Sequence, residues 1–300
     1  MSDYETILIE REGRVARVSF NRPDKLNSFN GTLRREFLRA AQEVNANDDI
    51  WVVVLTGAGR AFGAGADLSD TSEPLPNGGE GVEDQLNAEY KPGVLAIHHA
   101  RKPWIAAVNG PCAGISYSYA MACDLMVMAE SSYLFQPFVG IGLVPDGGAT
   151  WLLPNLVGAK RAFELMAFGE KLGADKAVEW GLANRVLPDD GFAEQSMAFA
   201  QELANRSPLG LRYAKESLAF AASHNLADTI SKEAALQAFC VDMRTPKRLS
   251  VPFSINASQS GGESEGLDAR ERAAIDRAAA RSECWLQLCH AKRGETVVVG

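Results

Sequence analysis

Several things are missing from this 300-residue chain before any motif is sought. No stretch approaches the roughly 18 uninterrupted apolar residues of a membrane-spanning helix. The first residues, MSDYETILIEREG, have no basic segment leading into an apolar run, so they do not read as a secretory leader, and a cytoplasmic protein is expected. Paired cysteines are lacking too. Cys112, Cys123, Cys240, Cys284 and Cys289 make an odd number in a long chain, which fits reduced thiols rather than a disulfide framework. Cys284 and Cys289-His290 have no second pair to complete a metal site, and no metal is expected. A net charge of −8 gives no basic surface for nucleic acid.

Two catalytic signatures are also absent. Gly57-x-Gly59 is followed by Phe62 where a dinucleotide fingerprint needs its third glycine, and no Gly-Lys-Ser/Thr occurs. His98 and His99 fall on an expected helix while His224 and His290 stand alone, so no nucleophile–histidine–acid series is suggested.

What remains is an ordinary globular composition, 46% hydrophobic and 23% charged, with alternating strands and helices. Tyr4–Glu10 and Arg14–Phe20 read as a hairpin about Glu12-Gly13, and Asn30 or Thr32 can cap a helix over Leu33–Val44. Trp51–Leu55, Ile105–Val108 and Leu125–Met128 read as buried strands. Ser69–Pro92 reads as a mobile loop, with a helix over about Glu83–Ala100. From Leu156 the pattern turns helical, with segments near Ala159–Phe168, Ala174–Trp180, Phe192–Ala204, Leu209–Ser223 and Leu226–Met243. After Thr245 the character changes, and Ser254–Gly266 reads as a linker.

The centre of the chain is 106–154. A strand enters the Gly-rich turn Asn109–Ser116 and then a small-residue helix, whose first N–H groups suit a negatively charged oxygen. Asp146 follows between Pro145 and Gly147-Gly148, and a second donor is available near Ala66 in Gly63–Asp67. An anion hole and one carboxylate suffice for enolate chemistry. Asp146 also reads as a helix N-cap, Asp67 as a turn residue supporting Ala66, and Ser116 and Ser118 as small-residue helix packing. Trp104, Trp151 and Trp180 read as core, and of Tyr117 and Tyr119 at most one can reach a substrate.

Five segments in order resemble the crotonase superfamily of enoyl-CoA hydratases and isomerases over about Tyr4–Thr245. They are NRPDKLNS from Asn21, AFGAGADL from Ala61, KPWIAAVNGPCAGIS from Lys102, GLVPDGGATWLLPNLVG from Gly142 and GEKLGADKAVEWGLANRV from Gly169. The resemblance implies an α/β spiral of ββα units over 1–190, a helical C-terminal trimerisation region over 191–245, and leaves 246–300 as an atypical tail. It implies an acyl-CoA thioester as substrate, no separate cofactor, and a homotrimer or dimer of trimers. Asp24, Lys25 and Leu26 would line the CoA side, with Ala64, Ala66, Asp67 and Leu68 near adenine and pantetheine. The N–H groups of Ala66 and Ile115 would form the oxyanion hole, with Phe138 on the acyl side.

The two hydratase glutamates of the superfamily fall on Ser118 and Phe138 here. Asp146 falls where Δ3,Δ2-enoyl-CoA isomerases carry a glutamate and phenylacetate-pathway ring isomerases an aspartate. The dehalogenating branch also has an aspartate there, but its partner histidine and tryptophan correspond to Leu95 and Phe138. The implied activity is therefore a double-bond shift with Asp146 as base, the alternatives being enoyl-CoA hydration or silent acyl-CoA binding.

Overall fold

The computed structural model describes residues 4–70 and 78–244. The expected tail over 246–300, including Ser254–Gly266 and the Cys284/Cys289/His290 group, lies outside the described residues. The chain divides into two compact units, 1–216 and 217–300, and the site belongs to the first.

Nine strands and ten α-helices alternate along the described residues. The first half runs β1 (Ile7–Glu12), β2 (Val15–Phe20), α1 (Gly31–Ala46), β3 (Val52–Gly57), α2 (Gly78–Gln85), α3 (Lys91–His98), β4 (Trp104–Val108), β5 (Cys112–Ala113) and α4 (Ile115–Ala122). It continues with β6 (Leu125–Ala129), β7 (Tyr133–Phe135), α5 (Ala149–Val157), α6 (Ala159–Phe168), β8 (Leu172–Gly173), α7 (Ala174–Glu179) and β9 (Arg185–Leu187). Three further helices close the described chain: α8 (Phe192–Ala204), α9 (Pro208–Ala221) and α10 (Leu226–Arg244).

Six strands form one sheet in the order β1-β2-β3-β4-β6-β9. The β1–β2 hairpin is antiparallel, from Ile7 opposite Phe20 to Glu12 opposite Val15, and every later pairing in that sheet is parallel. Period-two alternation splits its residues between two cores. Val18, Phe20, Val53, Leu55, Trp104, Ala106, Met126 and Met128 join Leu33 and Phe37 of α1, Ile97 of α3 and the α4 helix. On the other face Val15, Val52, Val54, Ile105, Ala107 and Val127 pack with Phe192, Met197, Ala200 and Ala204 of α8. Burial on both faces is why these strands read as continuous apolar runs.

A second sheet, β5-β7-β8, stands beside the first. Its strands are two or three residues long, too short for a periodic signal, and none was expected; nor was β9, which is three residues. The loop expected over Ser69–Pro92 is helical from Gly78, and a π-helical turn at Leu86–Tyr90 joins α2 to α3. The polar, Gly-rich composition that suggested a loop belongs to the exposed face of α2, which buries no residue. Trp104 is buried as expected, but Trp151 is 56% exposed on α5. Its helix presents Leu152 and Leu153 to the core, so the indole one residue earlier faces out.

Candidate active site

The strands β3 and β4 deliver their carboxyl ends to one place, the usual position of a ligand crevice in parallel sheets. The loop after β3 lies along β5. Ala113 N–H donates to Gly63 C=O at 2.8 Å, and Phe62 and Gly63 N–H donate to Pro111 C=O at 3.1 Å. At the end of this seam the two backbones touch at Gly65 and Gly114. A Cβ on Gly65 would lie 3.3 Å from the Ala113 carbonyl oxygen and 3.7 Å from Gly114 Cα. Both residues have positive φ, +93° and +56°, so glycine alone suits the turn that follows.

The next residue on each side is Ala66 or Ile115. Among the described residues neither of their N–H groups has a protein acceptor. The Ile115 amide opens α4, where helix geometry leaves N–H groups unpaired. The seam thus ends in two adjacent free donors, the arrangement expected for an oxyanion hole.

The turn after β2 is pinned to the same loop. Phe29 N–H donates to Gly65 C=O at 2.8 Å, and Asp67 N–H returns to Phe29 C=O at 3.0 Å. Asp67 is a structural anchor: its carboxylate accepts from Arg22 at 2.9 Å and from the Ser69 hydroxyl at 2.8 Å. Although burial opposes ionisation, these donors hold its pKa down at about 2. Asp24, Lys25, Ala64 and Leu68 are exposed and Leu26 half-buried, and the Arg22–Asp67 ion pair ties their two segments together.

Two asparagines that the sequence did not single out shape this region. Asn27 is fully buried and left-handed, at φ +56°. Its side chain accepts from Arg22 N–H at 2.8 Å and donates to Ala58 and Ala61 C=O at 2.9 and 2.7 Å. Asn109 donates to Gly57 and Gly59 C=O, both at 2.9 Å. Their signal was present, as two asparagines inside turn motifs, but only the fold says which distant carbonyls they reach.

Asp146 lies in the loop packed on the Ile115 and Ser118 side of α4, where a Cβ on Gly147 would be 2.3 Å from Ile115 Cδ1 and 2.9 Å from Ser118 Cβ. It is half-buried, and its Oδ1 is buried with no hydrogen-bond partner among the described residues. The side chain does not cap α5; Gly148 holds that position without a side-chain bond. The N-cap reading therefore fails for Asp146, because the Gly147-Gly148 turn puts two residues between the acid and the helix. Desolvation pushes its pKa up to about 6. Phe138, 8% exposed, stands at the seam: its ring is 3.8 Å from where a Gly114 Cβ would be. Tyr117 and Tyr119 are both buried in the core, so neither is presented to solvent.

The raised pKa has a cost in stability. Between the unfolded value near 4 and the folded value of about 6 the folded chain binds the extra proton, so stability falls as pH rises through that window and stays lower above it. Asp146→Asn is expected to be about 2 kcal/mol more stable than wild type at pH 7.5 and nearly equal to it at pH 4. Urea denaturation at the two pH values checks this, and a variant no more stable at pH 7.5 would contradict it.

Ser116 and Ser118 were expected to be packing residues, and both are fully buried. They are also bonded: Gly65 N–H donates to Ser116 Oγ at 3.1 Å, and Ser118 Oγ donates to Asp146 C=O at 2.9 Å. Among the described residues no cluster of His, Cys, Asp and Glu could hold a metal ion, and no helix is long and apolar enough to cross a membrane.

Comparison with known proteins bears on this geometry. Residues 10–247 match the family model described as enoyl-CoA hydratase/isomerase. The chain is 36% identical over 226 residues to the 1,2-epoxyphenylacetyl-CoA isomerase of Escherichia coli K12, covering 74% of this chain and 85% of the relative. It is 36% identical over 234 residues to a probable enoyl-CoA hydratase of Rhodobacter capsulatus, covering 78% and 89%. Among solved structures, an enoyl-CoA hydratase subunit from Geobacillus kaustophilus superposes with a TM-score of 0.73 at 31% identity, covering 80% of this chain and 91% of that one.

Proposed function

Because the chain belongs to the enoyl-CoA hydratase/isomerase family and has the crotonase fold, we propose that it shifts a double bond, converting 3-enoyl-CoA to 2-enoyl-CoA. The observation that carries this reading is the half-buried Asp146 with an unpartnered oxygen beside a two-amide hole, without acids at the two hydratase positions. Ser118 holds one of those positions, and its hydroxyl is engaged by Asp146 C=O. Phe138 holds the other, and a phenyl ring neither activates water nor carries a proton.

In the proposed reaction the Asp146 carboxylate takes a proton from C2 of the 3-enoyl thioester. Electrons move onto the thioester oxygen, giving a dienolate held by the Ala66 and Ile115 N–H groups. The same carboxyl returns the proton at C4 and the thioester carbonyl re-forms, so one base suffices and no water is consumed. Each preorganised amide contributes about 3–4 kcal/mol to the charged transition state, and a positioned base about 10²–10⁴ in rate. Asp24, Lys25, Leu26, Ala64, Asp67 and Leu68 form the rim on which the CoA moiety is proposed to lie, with coenzyme A as part of the substrate and no other cofactor.

Exposed Ile141, Leu143, Val144, Phe163 and Phe168 support self-association, and a homotrimer or dimer of trimers is the assembly proposed. The free thiols Cys112 and Cys123 accord with a cytoplasmic setting.

The test is turnover of 3-enoyl-CoA and 2-enoyl-CoA, followed as formation or loss of the conjugated thioester. Isomerisation should dominate, and kcat/KM should rise with pH to a plateau, half-maximal near 6, because only ionised Asp146 is a base. Hydration of 2-enoyl-CoA exceeding isomerisation would sink the reading in favour of a hydratase. Tight thioester binding with no turnover would leave an acyl-CoA-binding protein.

A further inference from the structure

The hydrogen bonds of α4 connect the two halves of the site. Residues i and i+2 of an α-helix project roughly 200° apart, so Ser116 and Ser118 leave opposite sides of the same turn. Ser116 Oγ accepts from Gly65 N–H at 3.1 Å, one residue before the Ala66 amide. Ser118 Oγ donates to the Asp146 carbonyl at 2.9 Å. Both loops are pressed against these serines. A Cβ on Gly63 would lie 2.4 Å from Ser116 Oγ, and one on Gly147 would lie 2.9 Å from Ser118 Cβ and 2.3 Å from Ile115 Cδ1. Ile115, whose N–H is the other half of the hole, opens the helix that carries both serines.

We propose that Ser116 and Ser118 are positioning residues that fix the hole-bearing loop and the base-bearing loop to one helix, so that donor and base keep a set separation during enolate formation. This rests on Asp146 being the base. The physical reason is that neither loop belongs to a helix or named strand beside the site: the hole-bearing loop is held by isolated bridges at Gly63 and Ala66, and Ser116 ties its Gly65 amide to α4. A loop that shifts by about 1 Å moves the carboxylate or the amide out of reach of its atom, at a rate loss approaching 10²-fold. Each serine is a fully buried short side chain with one backbone partner, so the seat is stiff.

The two serines should leave different signatures. Kinetics with 3-enoyl-CoA are measured on wild type, Ser116→Ala, Ser118→Ala and the control Ser196→Ala, which removes a comparable buried bond, Ser196 Oγ to Ala193 C=O at 2.9 Å, on α8. The Asp146 carboxyl is titrated in each by ¹³C NMR, a readout independent of turnover. Ser118→Ala is expected to lower kcat about tenfold or more, leave KM within about twofold, and move the Asp146 midpoint down by about half a unit or more as water enters. Ser116→Ala is expected to lower kcat similarly with the midpoint unmoved, and Ser196→Ala to change neither. If Ser118→Ala does not fold, Ser118→Cys keeps the volume with a weaker donor and should fall between the two in both readings. Wild-type kcat and midpoint in Ser118→Ala, or equal effects from Ser196→Ala, would overturn the proposal. Full activity in Asp146→Asn would instead strike the base assignment, while the NMR midpoint still reports whether Ser118 seats the loop.

Discussion

Asp146→Asn is expected to lower kcat for the proposed 3-enoyl-CoA isomerisation by about 10³-fold, with KM changed by no more than about threefold. The amide is nearly isosteric with the carboxyl, so the Gly147-Gly148 turn and the Ser118 bond to the backbone carbonyl persist. What is lost is the capacity to hold a proton between C2 and C4. On the proposed mechanism the Ala66 and Ile115 amides would still bind the thioester oxygen and account for the residual rate and the nearly unchanged KM. The effect is large because the superfamily's other acid positions hold Ser118 and Phe138, so no neighbouring carboxylate takes over. Stopped-flow or steady-state measurement of conjugated thioester formation checks this. A loss below about tenfold would mean that the proton is carried elsewhere.

Asn27→Ala is expected to destabilise the fold by about 3 kcal/mol. One side chain serves three backbone groups there: the Arg22 N–H and the carbonyls of Ala58 and Ala61. Truncation orphans the buried Ala61 carbonyl, at about 1–3 kcal/mol, and the part-buried Arg22 N–H and Ala58 carbonyl, at less each. Alanine also pays for the left-handed backbone at φ +56°, a conformation asparagine tolerates, by about 1 kcal/mol. Asn27→Gly separates the two causes, since glycine accepts the backbone but makes none of the bonds, and it should recover about 1 kcal/mol of the loss. The measurement is urea denaturation of both variants. A loss under about 1 kcal/mol in Asn27→Ala would show that water satisfies these groups.

The sequence made the parallel sheet visible because each central strand is buried on both faces and so reads as an unbroken apolar run, as in Val52–Leu55 and Trp104–Val108. Helices α6 and α8 were legible to the residue, since glycine precedes each and apolar residues recur at helical spacing. The second sheet was invisible, because two-residue strands such as Cys112–Ala113 carry no period and exist only through their partners. Within the site, residues in distinctive local motifs, Asp146 and the glycine turns, could be picked out. The roles of Ser116, Ser118, Asn27 and Asn109 could not, because each is defined by a bond to backbone 28 to 52 residues away. Asp146 itself was legible as a candidate but ambiguous with a cap; its unpartnered oxygen decides against the cap.

The tight seat of Gly147 against α4 has a consequence for how this chain could change its trade. With Ser118 fully enclosed and a Gly147 Cβ position only 2.9 Å from its own Cβ, a glutamate at 118 has no room unless the Pro145–Gly148 segment withdraws. Withdrawal takes Asp146 away with it. An acid on the helix and an acid on the loop therefore compete for one volume, and no single substitution at 118 adds the first while keeping the second. A lineage moving between water addition and bond migration on this backbone would have to remodel the loop first and pass through a form that does neither well.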